Sequence, residues 1–272
     1  YLGAFPIAEA LADGAEVVVT GRIADPALAL GPLINHFGWR PEDWDLLAAG
    51  TVAGHLLECG SQVSGGYFAD PGKKDVPEMA SIGFPVAEIH SDGAITVTKA
   101  DATGGLVDER TVKEQLLYEV HDPSAYLTPD VVVDITEVEI EKVGSNRIAV
   151  SGVRGKPATS QLKVTVSLDG GWLGEGEISY AGPNAHQRSS LAAETLLARL
   201  DARKLTMRHR IDLIGVTSIL DNDSGTLRTV SKRDHDDVRI LLAVEGADEE
   251  DVEAATQEVL ALYCWGPAGC GG

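Results

Sequence analysis

The 272-residue chain is short of cysteine and of positive charge, and it has no long apolar run. Three cysteines, Cys59, Cys264 and Cys270, are too few and too scattered for a disulfide framework, so a reducing cytoplasm is the simplest setting. Cys264 and Cys270 stand in a C-x5-C loop, a spacing uncommon in zinc sites. No apolar stretch approaches the roughly 18 residues of a membrane span. The first residues carry Glu9 and Asp13 and lack a basic region, which is not the pattern of a signal peptide. With 22 basic against 42 acidic residues the net charge is −20. General binding to nucleic acid or to an anionic membrane needs clustered positive charge, so both are excluded as partners. A local site for an anionic small molecule stays open, and solubility alone accounts for the acidity. No Walker loop, GxGxxG fingerprint or GxSxG elbow occurs. There is no flexible linker, low-complexity tract or short repeat.

What is present is an ordinary globular balance, 44% hydrophobic and 24% charged, enough to bury a core without staples. Both ends read as cut. The chain opens on Tyr1 in a helix that runs straight towards a strand, and it closes on a Gly-rich turn, GPAGCGG. A fragment of a longer protein is expected.

The pattern predicts helices over 4–12, 26–36 and 41–60. Asp25-Pro26 supplies an N-cap followed by an N1 proline for the second. Glu16 to Thr20, EVVVT, reads as a buried strand of a parallel sheet. Two hairpins follow, 86–90 with 94–98 and 138–143 with 147–151. Between them lie a helix opened by a Thr111 to Glu114 capping box and a buried strand at 130–135. The fold class is therefore α/β, an open, largely parallel layered sheet over 1–153. An α+β portion over 154–272 follows. There an alternating strand at 162–168, a strand at 175–180, a helix at 185–202, strands at 211–218 and 238–244 and a helix at 248–263 make most of a ferredoxin-like pattern. Its last strand is expected beyond Gly272, or is replaced by 162–168.

The richest stretch for chemistry is Gly50 to Gly72, where six glycines surround a His, a Glu, a Cys, a Gln, a Tyr and an Asp. His55 and Glu58 share a helix face at a spacing of three. They fit an acid/base pair or, with a further ligand such as His121 or Asp70, a metal site. Cys59 fits a nucleophile if its pKa is lowered. The alternative is a capping or core histidine, an exposed glutamate and an inert thiol. Gly65-Gly66-Tyr67 and Gly104-Gly105 can present backbone N–H groups to an anion, or can be plain tight turns. Arg22 and Asp25 follow the expected strand at the sheet edge where α/β proteins bind ligands, or make a loop contact with each other. His121 either caps a helix C-terminus or joins a polar cluster with Tyr118, Asp122 and Tyr126.

A set of long motifs in a fixed order, VVVTGRIADPALALGPL, AAGTVAGHLLECG, GGYFADPG, GFPVAEI, TVKEQLLYEVHDPSAYLTPDVVVD, GEGEISYAG and LYCWGPAG, resembles the acyclic terpene utilisation protein AtuA family. The resemblance runs from Tyr1 to the last glycines. It departs at Cys264, Trp265 and Cys270, where the family has small or polar residues, which lowers the functional weight of those cysteines. It implies a bacterial role in breaking down citronellol- and geraniol-type terpenoids, whose acids are handled as CoA thioesters. It assigns no catalytic residue and no cofactor. The expectation is a cytoplasmic lyase or isomerase type of enzyme, with His55 and Glu58 moving a proton next to a carbonyl. Arg22, Asp25, Gly65, Gly66, Tyr67, Gly104, Gly105 and His121 would hold the terpenoid acid or acyl-CoA. A non-catalytic subunit of the same pathway and a metal-dependent lyase are the alternatives. The cofactor stays unknown, and a homo-oligomer is compatible with the sequence.

Overall fold

The computed structural model describes residues 1–227 and 235–272. They form two compact units, Tyr1–Val166 and Ser167–Gly272, each with its own hydrophobic core.

In the first unit the helices are α1 (Phe5–Ala12), α2 (Ala27–Phe37), α3 (Trp44–Glu58) and α4 (Glu109–Leu117). The strands are β1 (Pro85–Ile89), β2 (Ile95–Lys99), β3 (Tyr126–Leu127), β4 (Val131–Asp134), β5 (Glu139–Gly144), β6 (Arg147–Ser151) and β7 (Arg154–Pro157). They pair as one sheet in the order β1-β2-β6-β5 and a second in the order β3-β4-β7. Every pairing within these sheets is antiparallel. Parallel pairing is confined to isolated bridges, Leu2 with Ile23 and Ile82 with Gly104.

The unit is thus mixed α/β, without the largely parallel sheet expected. The expected buried strand at 16–20 does not form. Val17 is 81% and Val19 91% exposed, and no sheet pairs with the segment among the described residues. Its apolar run has the composition of a central strand but lacks the ladder partners that would bury it. Residues 162–168 fail in the same way: Val164 and Leu168 are 74% and 86% exposed, and no strand is formed.

α3 organises this unit. Ten consecutive residues from Leu47 to Leu56 are buried, so the helix is apolar all round, as a central helix must be. Full burial of side chains such as Leu47, Val52 and Leu56 stabilises by ~1.5–3 kcal/mol each. Gly50 and Gly54 let α2 approach closely. A Cβ at Gly54 would lie 2.5 Å from the Pro26 carbonyl oxygen, and one at Gly50 would lie 2.7 Å from a Leu30 methyl. The start of α2, and with it Asp25, is thereby set against the C-terminal end of α3.

Helix ends differ from expectation in instructive ways. Pro26, not Asp25, is the cap residue of α2, and no side chain caps it. Asp25 is left free of a structural cap role. For α4 the capping box is real but begins earlier. The Asp108 carboxylate accepts from the Arg110 and Thr111 backbone N–H groups, and the Thr111 hydroxyl accepts from the Asp108 N–H. Thr111 is thus the third helical residue rather than the cap.

The second unit runs β8 (Trp172–Ala181), α5 (Ala185–Ala202), β9 (Arg208–Ile214), β10 (Asp237–Gly246), α6 (Glu249–Trp265) and β11 (Cys270–Gly271). Its sheet order is β11-β8-β10-β9, all antiparallel. The short β11 pairs with β8 at the edge of this sheet. The expected polar connection between the strands at 211–218 and 238–244 includes residues 228–234, which lie outside the described residues. Alternating side chains of β10, from Val238 to Val244, are buried against α5 and α6. The Glu258 carboxylate, buried on α6, is held by Arg199 and Arg203 of α5.

Candidate functional site

The last turn of α3 carries His55 and Glu58. Their spacing of three puts both on one face, and His55 Nδ1 lies 2.9 Å from Glu58 Oε1. The His55 side chain is 3% exposed and that of Glu58 12%. The outer atoms of the pair, His55 Nε2 and Glu58 Oε2, are closed off from solvent and have no hydrogen-bond partner. A carboxylate partner fixes the imidazole tautomer by accepting a hydrogen bond from Nδ1–H, which leaves Nε2 with its lone pair and no proton.

A second residue braces this turn from another element. Gln115 of α4 is fully buried, and its Nε2 donates to the His55 carbonyl oxygen at 2.8 Å. Tyr126 of β3 packs edge-on against the imidazole, ring centroids 5.4 Å apart at 60°.

The pair lies in the wall of a cavity of about 540 Å³, within the range of small-molecule sites. Asp25 and Pro26 come from the entry to α2, Glu119 follows α4, and Tyr126 to Pro129 contribute β3 and the turn after it. Leu162 and Lys163 complete the wall. Glu119 sits in the left-handed region at φ 58°, a conformation that costs a non-glycine residue and is found often at ligand sites.

Three acidic side chains, Asp25, Glu58 and Glu119, therefore share this wall. Their field acts on its neighbours. Burial pushes the Tyr126 phenol well up, and the charges of Glu58, Asp25 and Glu119 push the same way. Burial also pushes the Cys59 thiol up. A hydrogen bond with Gln115 opposes this, while Glu58, Glu119 and Asp25 reinforce it. Cys59 is accordingly held as a thiol, which removes the basis for nucleophilic attack.

The other residues singled out from the sequence are not gathered here. Arg22 is exposed outside the cavity wall, its guanidinium 3.4 Å from the Tyr1 hydroxyl. His121 is exposed beyond the end of α4. Tyr67 is 91% exposed. The backbone N–H groups of the paired glycines are already committed. Gly65 donates to Gln62, Gly66 to Ser61, Gly104 to Ser81 and Gly105 to Pro77. These N–H groups are not free to receive an anion. The glycines serve close packing, since a Cβ at Gly104 would fall 2.1 Å from the Glu78 carbonyl oxygen. Of the ten residues, the structure brings together His55, Glu58 and Asp25.

Sequence reasoning missed Gln115, Glu119 and Lys163. Gln115 had one signal, a polar residue on the apolar face of an amphipathic helix. No group of three His, Cys, Asp or Glu placed to hold a metal ion is found among the described residues. Nor does any helix among them have the length and apolarity to cross a membrane.

Neither the curated proteins nor the solved structures contain a match to this chain. The family model of the acyclic terpene utilisation family protein AtuA matches residues 1–272, so the chain belongs to that family.

Proposed function

We propose that this cytoplasmic member of the acyclic terpene utilisation family is an enzyme that moves a proton next to a carbonyl in a branched terpenoid acyl compound. His55 is the base and acid, and Glu58 holds its tautomer. The observation that carries this reading is the unpartnered His55 Nε2 on a hydrogen-bonded pair in a cavity wall. In such a step Nε2 takes the proton from carbon, the C–H electron pair moves into an enolate, and the proton returns from Nε2 to a carbon of the same conjugated unit. The reaction class is isomerisation. Dehydration and hydration use the same first or last step with water leaving or adding.

The test is deuterium incorporation from D2O into the S-(3-methylbut-2-enoyl)-N-acetylcysteamine thioester, followed by NMR. Wild-type protein is expected to label the carbons next to and conjugated with the carbonyl. H55Q and E58Q are expected to lower the rate by about 100-fold or more, the usual contribution of a positioned acid/base group. Labelling that persists in H55Q sinks the proposal.

A second reading, a subunit that binds a pathway partner without turnover, is favoured by the exposed apolar side chains Val17, Val19, Val164 and Leu168. Wild-type protein that labels no thioester but is retained by a pathway enzyme would support it. As to fold, we take the second unit to be ferredoxin-like, supported by its strand order β11-β8-β10-β9 and the two helices α5 and α6.

A further inference from the structure

The same cavity constrains the charge of what enters it. We propose that its ligand is an uncharged carbonyl compound, a thioester rather than a free carboxylate, and that the Tyr126 hydroxyl donates a hydrogen bond to the carbonyl oxygen. The inference rests on the proton-transfer reading and narrows its substrate class.

Three observations carry it. First, the wall is acidic. Asp25, Glu58 and Glu119 all line it, whereas Lys163 is its one Lys or Arg side chain among the described residues. Lys163 is moreover exposed, and its ammonium lies 4.8 Å over the Tyr1 ring. A carboxylate brought to His55 enters the field of three like groups, where it is repelled and has no guanidinium to receive it. Second, the rest of the wall is uncharged in its side chains, with apolar Ala24, Pro26, Leu127, Pro129 and Leu162 beside the polar Thr128, Thr159 and Gln161. Such a surface takes the hydrocarbon of an acyl chain without asking for charge. Third, Tyr126 is a donor placed beside the base. Its ring touches the imidazole edge-on at 5.4 Å, it is half-buried in the same wall, and its hydroxyl donates to no group among the described residues.

The environment also keeps that hydroxyl in the useful form. Burial and the neighbouring carboxylates hold the phenol protonated well past neutral pH. A phenol so held cannot act as a base, and its remaining role towards a ligand is donation. When His55 Nε2 takes a proton from an sp3 carbon beside the thioester carbonyl, or from the γ-carbon of the α,β-unsaturated compound, the negative charge gathers on the carbonyl oxygen. The Tyr126 O–H meets it there without giving up its proton. The proton later returns from Nε2 to carbon, so no further reactant is consumed. The same step on a carboxylate would place a second negative charge on a group already facing three acids.

Binding separates this inference from the reading beneath it, because binding requires no turnover. The two probes are the S-(3-methylbut-2-enoyl)-N-acetylcysteamine thioester, which is neutral, and 3-methylbut-2-enoate. Both are titrated by calorimetry into the full chain at pH 7.5. The thioester is expected to bind at least tenfold more tightly than the carboxylate. Y126F is expected to weaken thioester binding by about tenfold with an unchanged melting temperature, the loss expected for a well-placed donor. Should Y126F fold poorly, E119Q gives an independent reading: carboxylate binding strengthens several-fold and thioester binding does not. Equal affinity for the two probes overturns the inference, as does binding of neither, or full thioester affinity in a folded Y126F protein. Selective thioester binding without deuterium labelling leaves the substrate class standing and removes the proton-transfer reading instead.

Discussion

Replacing Gly54 by alanine tests whether the approach of α2 to α3 is as close as the structure has it. The added methyl would lie 2.5 Å from the Pro26 carbonyl oxygen and 2.8 Å from the Pro26 Cα. Ordinary contacts of this kind sit near 3.5–4 Å, so the two backbones must separate by about 1 Å. The obstacles are main-chain atoms, which cannot swing aside as a side chain can. Overpacking of this sort costs ~1–3 kcal/mol, and the rigidity of backbone places Gly54 in the upper half of that range. Alanine is also the better helix former by ~1 kcal/mol, which offsets part of the loss. The expected net destabilisation is about 1–2 kcal/mol. For a unit of this size each kcal/mol shifts the melting temperature by about 2–4 °C. Urea unfolding followed by circular dichroism measures the first figure, and a thermal scan the second. Gly21, which has nothing within 4 Å of an added Cβ, is the control, and G21A is expected to leave stability within about 0.5 kcal/mol. Because Asp25 precedes Pro26, G54A also moves one acidic wall of the cavity away from Glu58. Thioester binding should therefore weaken by more than the stability loss alone explains. If G54A is as stable as the wild type, the close packing that sets Asp25 beside the pair is wrong.

Two further outcomes follow from charge. In the second unit, E258A leaves Arg199 and Arg203 facing each other without their buried partner. The loss from breaking a buried pair is discounted here because the arginine side chains are 28% and 46% exposed, to about 2–3 kcal/mol by urea unfolding. In the first unit, hydrogen bonds from the Thr136 hydroxyl and N–H and from Lys156 hold the Asp134 carboxyl at about 2, against 3.8 ordinarily. Its folded value is depressed, so its contribution is complete above 3.8 and disappears as pH falls towards about 2. D134N is expected to flatten the acid limb of the wild-type stability profile in that window, and an unchanged limb would contradict the assignment.

Local signals explain what could be read from the sequence. The hairpin turns at Ser91-Asp92-Gly93 and Gly144-Ser145-Asn146 join β1 to β2 and β5 to β6, because turn chemistry is decided by the residues within it. The helix at 185–202 emerged intact as α5, since its apolar spacing is its own. The strand at 16–20 did not, because a buried apolar strand and an exposed apolar segment share one composition and differ only in their neighbours. Glycine pairs misled for a related reason. A glycine needed for a tight turn, for an anion cradle or for close packing looks the same, and Gly65, Gly66, Gly104 and Gly105 proved to pack. At the site, His55 and Glu58 were visible as neighbours on a helix. Glu119 and Lys163 were not, for they reach the cavity through the fold and carry no local mark.

His55 and Glu58 also bear on whether the site is more than structure. A buried polar atom without a partner costs ~1–3 kcal/mol, and this pair has one on each side chain. Gln115, which braces the same turn, leaves its own Oε1 unpartnered as well. A turn whose only task was to close α3 would be more stable with apolar side chains at these positions, which is the usual outcome when buried polar groups are replaced by well-packed ones. Two of these atoms belong to side chains that line a cavity of about 540 Å³, where a ligand that displaces the covering groups supplies the missing partners. A ligand that bonds Nε2 should raise the melting temperature with its concentration by mass action. A double replacement of His55 and Glu58 by leucine should raise stability in the absence of ligand while abolishing that rise. If the leucine variant is folded but less stable than the wild type, the pair is a structural element of α3 and the case for chemistry at Nε2 fails.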